Sequence, residues 1–326
     1  MDLLNPAFWI FVATLAAIYS ILSLGLYVQF SLAGLPNFGH VAFMAIAAYV
    51  MAILVARYGW PLPLALATSV GAAIGFALLL GIPTLRLRAD YLSIATVAGG
   101  EIVRYMAMNF PELTGGALGS MGLLGPADIA TYNAGWQAWI AALATGLKAW
   151  TGLSFSADGV MLLIVCALTA VLILTFQHLE RSPWGRVLKA IREDETAVTA
   201  IGKNVFLFKL QALVLGAVLG ALAGLLLALQ IGSFSPDDYQ PTITFYAYLI
   251  LILGGMNRIW AIPIGSVLFS LLYTGTRFLN FYPLTMIDSG SRAFLRLFLV
   301  GLLLVVFVAL RPQGLFGNKR EMLLEK

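Results

Sequence analysis

Long apolar runs follow one another along almost the whole chain, separated by short connections, and nothing else in the sequence constrains its fold so strongly. A helix of about 20 apolar residues spans the ~30 Å hydrocarbon core of a bilayer, and inside a bilayer each backbone polar group must find its partner within the protein. Of the 326 residues, 61% are apolar and 10% are charged. Soluble domains carry about 25% charged residues. So apolar a surface requires lipid as its solvent. The expected fold is therefore all-α: a polytopic integral membrane helical bundle of about 8–10 transmembrane helices. The expectation is a single domain over residues 1–326, with no room for a separate soluble domain.

Candidate spans cover 8–30, 41–56, 61–83, 89–108, 158–179, 209–231, 243–256, 259–280 and 293–311. The 243–256 run is short for a crossing, which suits a re-entrant or broken helix. The 89–108 run is interrupted by Gly99, Gly100, Glu101 and Arg104. Two connections are longer. In 109–157, the run Trp136–Trp150 reads as an interfacial or re-entrant helix, with a further full span as the alternative. The 180–208 segment holds the densest charge. Arg181, Arg186, Lys189, Arg192, Lys203 and Lys209 there, and Arg311, Lys319, Arg320 and Lys326 at the end, put 180–208 and the tail 312–326 in the cytoplasm. The loops 109–157, 232–242 and 281–291 then face outward, with Lys148 as their basic residue against Glu112, Asp128, Asp237, Asp238 and Asp288. Arg57, Arg277 and Arg292 fit this pattern less well. The first apolar run lacks a basic leader and reads as a retained span, with the N-terminus outside. Cys166, in an apolar run, reads as a lipid-facing or packed small residue.

Polar groups inside the spans are costly and so are candidates for function. Gln29, Ser31, Asn37 and His40 surround a turn containing Gly34, Pro36 and Gly39, which suits a gate or partner contact, or a capped turn. Thr96 shares a helical side with Gly99 and Gly100 and offers a hydroxyl either to a cavity or back to its own helix. Glu101 and Arg104, one turn apart, suit a polar lining for a zwitterion or a structural pair near the outer interface. Gly216, Gly220 and Gly224 form a flat stripe for close helix contact, read first as intramolecular packing. Asp237, Asp238 and Tyr239, with Asp128, are docking points for a basic partner or plain loop tips.

In the charged segment, Ser182 and Pro183 can open a helix. Val187, Ala190, Ile191, Ala197, Val198 and Ile201 give it an apolar stripe, and Gly202 followed by Asn204 stops it. The expectation is a short amphipathic helix pair on the cytoplasmic face with Glu193, Asp194 and Glu195 exposed, able to be gripped by a partner protein. Two isolated histidines, His40 and His178, make no metal site. The chain carries no Gly-x-x-x-x-Gly-Lys-Ser/Thr phosphate loop and no nucleophile–base set. The expectation is of no catalysis, no cofactor, no metal and no nucleic-acid partner.

The stretch Ser182-Pro-Trp-Gly-Arg…Ala190-Ile-Arg-Glu-Asp-Glu…Gly202 resembles the coupling loop of permease subunits of branched-chain amino-acid ABC importers. Gln29-Phe-Ser-Leu…Phe38-Gly-His-Val-Ala-Phe, Leu85-Arg-Leu-Arg-Ala-Asp-Tyr…Gly100-Glu-Ile-Val-Arg, Leu253-Gly-Gly-Met…Trp260 and Arg311-Pro-Gln-Gly-Leu-Phe-Gly resemble other motifs of that family in order. Two details depart from it. The early turn is lengthened by Ala33-Gly-Leu-Pro-Asn, and the docking pattern Glu-Ala-Ala-x-x-x-Gly is matched only approximately, Gly202 coming one residue late. The resemblance implies a multi-pass protein of the bacterial inner membrane that pairs with a second permease subunit as a heterodimer. It also implies two cytoplasmic ATPase subunits and an extracytoplasmic substrate-binding protein. The implied substrate is a branched-chain or related amino acid, with urea or short amides as the alternative. An ion-coupled secondary transporter is the alternative of another class, with Glu101 as its candidate mid-membrane acid. Under the resemblance Gln29, Ser31, Asn37, His40, Thr96, Glu101 and Arg104 are substrate-pathway candidates, and Arg186, Arg192, Glu193, Asp194, Glu195 and Gly202 are ATPase-coupling candidates.

Overall fold

The computed structural model of the chain describes residues 6–123, 131–152, 154, 156–256 and 258–275, with isolated positions between 291 and 315. Every regular element among the described residues is helical. The first helix, α1 (Pro6–Leu26), runs directly into a π-helical segment, Tyr27–Leu32. After a turn come α2 (Val41–Ala56), α3 (Leu62–Thr84) and α4 (Ala89–Asn109). Two four-residue helices, α5 (Pro111–Thr114) and α6 (Ser120–Leu123), precede α7 (Thr131–Thr151) and α8 (Ala157–Arg181). A hairpin of α9 (Pro183–Glu193) and α10 (Glu195–Ala200) leads into α11 (Val205–Ile231). A 3₁₀ turn, Pro236–Tyr239, then leads to α12 (Pro241–Gly254) and α13 (Ala261–Gly275).

Four of these helices, α1 with its π extension, α3, α8 and α11, are long and apolar enough to cross a membrane; α2, α12 and α13 are shorter apolar helices. The molecule is a helical membrane bundle. Its layers follow from burial. In the most apolar stretches of α1 and α11, 67% and 78% of residues are buried, against 28% and 33% in α3 and α8. So α1 and α11 form the centre, while α3 and α8 present most of their apolar surface outward. Cys166 lies on that exposed side of α8.

The glycine stripe of α11 explains how the centre closes. Side chains at Gly216, Gly220 and Gly224 would run into Gln29, Phe43 and the Met44 backbone respectively. The stripe is thus an intramolecular seat for the π segment and α2. The expected short helix at 243–256 is α12, about 21 Å long at 1.5 Å per residue. It ends where Gly255 takes φ 122°, and α13 crosses back against it. The Trp136–Trp150 run lies within α7, 21 residues long. This helix is not among those apolar enough to cross a membrane, and its start bonds the far end of α11 through Tyr132–Ala228 and Asn133–Leu229. Tyr132, Trp136 and Ile140, four residues apart, are buried, and α7 packs on α8, α2 and α3. The expected span 293–311, the loop 281–291, the tail 312–326, Asp128, Arg277 and Arg292 lie outside the described residues, apart from isolated positions. One of those, Leu315 in the closing motif, donates its N–H to the Leu253 carbonyl at 2.9 Å.

Candidate functional site

Two features of the sequence meet at one end of the bundle: the broken segment after α1 and the charged hairpin α9–α10. The π segment ends in a turn where Gly34 N–H donates to Phe30 O and Leu35 N–H to Gln29 O, with Gly34 at φ 68°. Residues 33–40 form no regular helix, so their buried polar groups need partners. Side chains supply them. The Asn37 amide donates to Gln29 Oε1 at 3.0 Å, and Gln29 Nε2 donates to the Leu213 carbonyl of α11 at 3.0 Å. Gly39 N–H donates to Asn37 Oδ1, and Phe38 N–H donates to Thr96 Oγ1 of α4 at 3.1 Å. Val41 N–H donates to Thr244 Oγ1 of α12, and the Tyr248 hydroxyl donates to the Asn37 carbonyl. One knot of hydrogen bonds thus joins the π segment, α4, α11 and α12. Gly39 is required in it, because a side chain there would overlap the Thr96 carbonyl.

Of the seven pathway candidates, Gln29, Asn37 and Thr96 are consumed by this knot. Two groups beside it stay unsatisfied. Ser31 Oγ has no partner, and neither ring nitrogen of the fully buried His40 makes a hydrogen bond. The Leu22 backbone acts on that ring outside good hydrogen-bond geometry. The imidazole sits in a notch between Gly25 and Gly220, where any side chain would crowd it. Glu101 and Arg104 are placed elsewhere, toward the other end of α4. There Arg104 Nη2 lies 2.7 Å from Glu101 Oε2, Nη1 lies 3.1 Å from Asp237 Oδ1, and the guanidinium stacks over Tyr105. The pair expected from spacing is real, and Asp237 extends it across to the 3₁₀ turn. Asp238 is used locally, accepting from the Ser235 N–H and hydroxyl.

The hairpin forms as its capping residues dictate. Ser182 caps α9 by accepting from Gly185 N–H, and Pro183 fills the first position. Asp194 ends α9 in extended backbone and caps α10. The Thr196 hydroxyl, then the Ala197 and Thr196 N–H groups, donate to the Asp194 carboxylate and hold it below its ordinary range. Gly202, at φ 80°, ends the pair, and Asn204 caps α11. Glu193, Asp194 and Glu195 are exposed, yet each is also engaged: Glu193 with Arg192, Asp194 as the cap and Glu195 with Lys209. Arg186 reaches the Arg181 carbonyl.

Side-chain bonds fasten the hairpin to the broken segment. Arg192 Nη1 donates to the Ser31 carbonyl at 2.8 Å, and its stem lies against Gly34. The Tyr27 hydroxyl donates to Glu180 Oε2 at 3.0 Å, and Lys189 Nζ pairs with Glu180 Oε1 at 2.6 Å. Trp184 Nε1 donates to Gln211 of α11. Sequence reasoning missed Tyr27, Glu180, Thr244 and Tyr248 as site residues and read Lys209 only as a cytoplasmic charge. A buried hydroxyl or acid at a helix end was the available signal, but partners so far apart in sequence gave it no direction. The arrangement can carry displacement of the hairpin into the π segment and, through Gln29, Asn37 and Thr96, into α11 and α4.

A family described as branched-chain amino acid transport system / permease component matches residues 8–308. The high-affinity branched-chain amino acid transport system permease protein LivM of Salmonella typhimurium is 35% identical over 324 residues, covering 96% of this chain and 71% of that protein. The protein of the same name from Escherichia coli K12 is 34% identical over the same shares. A probable branched-chain amino acid transport permease protein LivM of Methanocaldococcus jannaschii is 24% identical, covering 93% of this chain and 91% of its own length. No solved structure matches the chain.

Proposed function

Because the chain belongs to the branched-chain amino acid transport permease family, we propose that it forms the membrane pathway for branched-chain amino acids in an ABC importer, in which α9–α10 receives the stroke of cytoplasmic ATPase subunits. The observation that carries the reading is the Arg192–Ser31 bond, which joins the amphipathic hairpin to the π-helical end of a central helix. ATP-driven closure of the ATPases displaces α9–α10. The fork of Arg192, holding Glu193 with one edge and the Ser31 carbonyl with another, pulls the π segment with it. A π segment with a glycine turn after it is a mechanically soft place to bend a span. At the opposite end, opening for substrate delivered by a binding protein separates α4 from the 3₁₀ turn, breaking Arg104–Asp237. The order is that of a rocking bundle. A second permease subunit completes the pathway, and the bacterial inner membrane is the setting.

The test uses the reconstituted importer with its ATPases and binding protein. Arg192→Lys keeps the charge but loses the fork, so leucine taken up per ATP hydrolysed should fall several-fold while ATP hydrolysis persists. Leucine uptake that continues with the ATPases omitted would overturn the reading, as would an Arg192→Ala importer with unchanged uptake per ATP.

A further inference from the structure

Beside the hairpin, a cavity of about 350 Å³ opens between the 34–36 turn, the α3–α4 connection, the start of α10 and the start of α11. Three cations line it: Arg86, Arg88 and Lys209. Glu195 is the one carboxylate in its lining, and Lys209 already neutralises it. Neither Arg86 nor Arg88 has a carboxylate partner among the described residues; Arg86 lies over the Phe206 ring instead, 5.9 Å from its centroid. Asp90, in the first turn of α4, is outside the lining. The cavity therefore holds two uncompensated positive charges in an otherwise charge-poor molecule. Its surroundings are equally specific. Ile82 at the end of α3, Leu87 between the two arginines, and Tyr91 and Ile94 at the start of α4 are large apolar side chains left exposed.

The geometry points to a binding site for an anionic phospholipid, with its phosphate in the Arg86–Arg88–Lys209 cavity and its acyl chains along the exposed face of α3 and α4. A free phosphate would use the cations alone. The apolar rim beside them selects a phosphate that carries hydrocarbon. Basic pockets between spans on the cytoplasmic side take anionic headgroups by this combination of charge and depth. The assignment to the cytoplasmic leaflet rests on the transport reading above; the lipid selectivity does not. The occupant would sit against Glu195 and Gly34, at the joint between hairpin and π segment, so lipid composition would bear directly on coupling.

The test is native mass spectrometry of the full chain, released from detergent with equal phosphatidylglycerol and phosphatidylcholine. Phosphatidylglycerol should be retained at least tenfold more strongly, a factor of about five for each unpaired arginine. Arg86→Gln with Arg88→Gln should bring the two lipids to parity, and Arg86→Lys with Arg88→Lys should keep most of the preference. Inorganic phosphate in excess should leave the bound lipid in place. Equal retention by the unaltered chain, selectivity surviving the double glutamine change, or displacement by inorganic phosphate each overturns the proposal. ATPases and binding protein are absent from this measurement, so a failure here leaves the transport reading untouched, and uptake without ATPases would sink that reading while lipid selectivity stood.

Discussion

At Arg104 two carboxylates compete for one guanidinium, and their surroundings decide which matters. The Glu101 side chain is 26% exposed and the Asp237 side chain 62%. Solvent screens the second pair heavily, and exposed ion pairs contribute little. Glu101→Gln should therefore lower stability by about 1 kcal/mol, and Asp237→Asn by no more than a few tenths. Thermal unfolding in detergent separates the two; an equal loss would mean that burial does not govern the pair. Asp194 makes a different prediction. The Thr196 hydroxyl and the two amides lower its pKa in the fold, below the ordinary 3.8. A depressed value stabilises the charged form, so the contribution is complete above the unfolded-state value and is lost as pH falls through the folded one. Hydrogen-exchange protection of the Thr196 and Ala197 amides should be level at neutral pH and decline only in acid more extreme than that ordinary value.

The elements show which interactions a one-dimensional pattern can carry. Boundaries such as Val41–Ala56 and Ala157–Arg181 follow from runs of apolar residues, and Ser182, Pro183 and Gly202 mark the hairpin by local rules. Of the Gln29–Asn37–Thr96 knot, Gln29 and Asn37 were legible as polar residues near a turn, while Thr96 was read separately on the 89–108 run. The knot's closure onto Leu213, Thr244 and Tyr248 joins residues up to 211 positions apart, and no periodicity encodes that. A helix pair was expected there, in the charged segment, but the place of its split, Asp194, was hidden for a related reason: a cap residue in a charge run looks like any exposed acid. The stripe on α11 gives a sharp comparison. Gly216→Ala places a methyl into the Gln29 amide and should cost about 1–3 kcal/mol. Gly71→Ala, where nothing lies within 4 Å, should gain up to about 1 kcal/mol from helix propensity. Unfolding of the two variants in detergent should move in opposite directions.

For the whole molecule, the placement of charge predicts an orientation, and the lone thiol makes that testable. Cys166 is exposed near the middle of α8, so the bilayer reading puts it against lipid. It should resist a membrane-impermeant maleimide, so the native chain serves as its own background. Lys148→Cys and Lys203→Cys flank α8 and should label from opposite sides, the second from the cytoplasm. Labelling of both from one side would break the proposed topology. The layered burial also bears on how the protein is made. Among the described helices α1 is synthesised first and belongs in the centre, yet the carbonyl that Gln29 needs lies on α11, which begins at Val205. At ordinary elongation rates that partner arrives about 10–40 s later. Through that interval α1 waits with the Gln29 Nε2 donor unanswered, so half of the buried centre is made well before the helix that completes it.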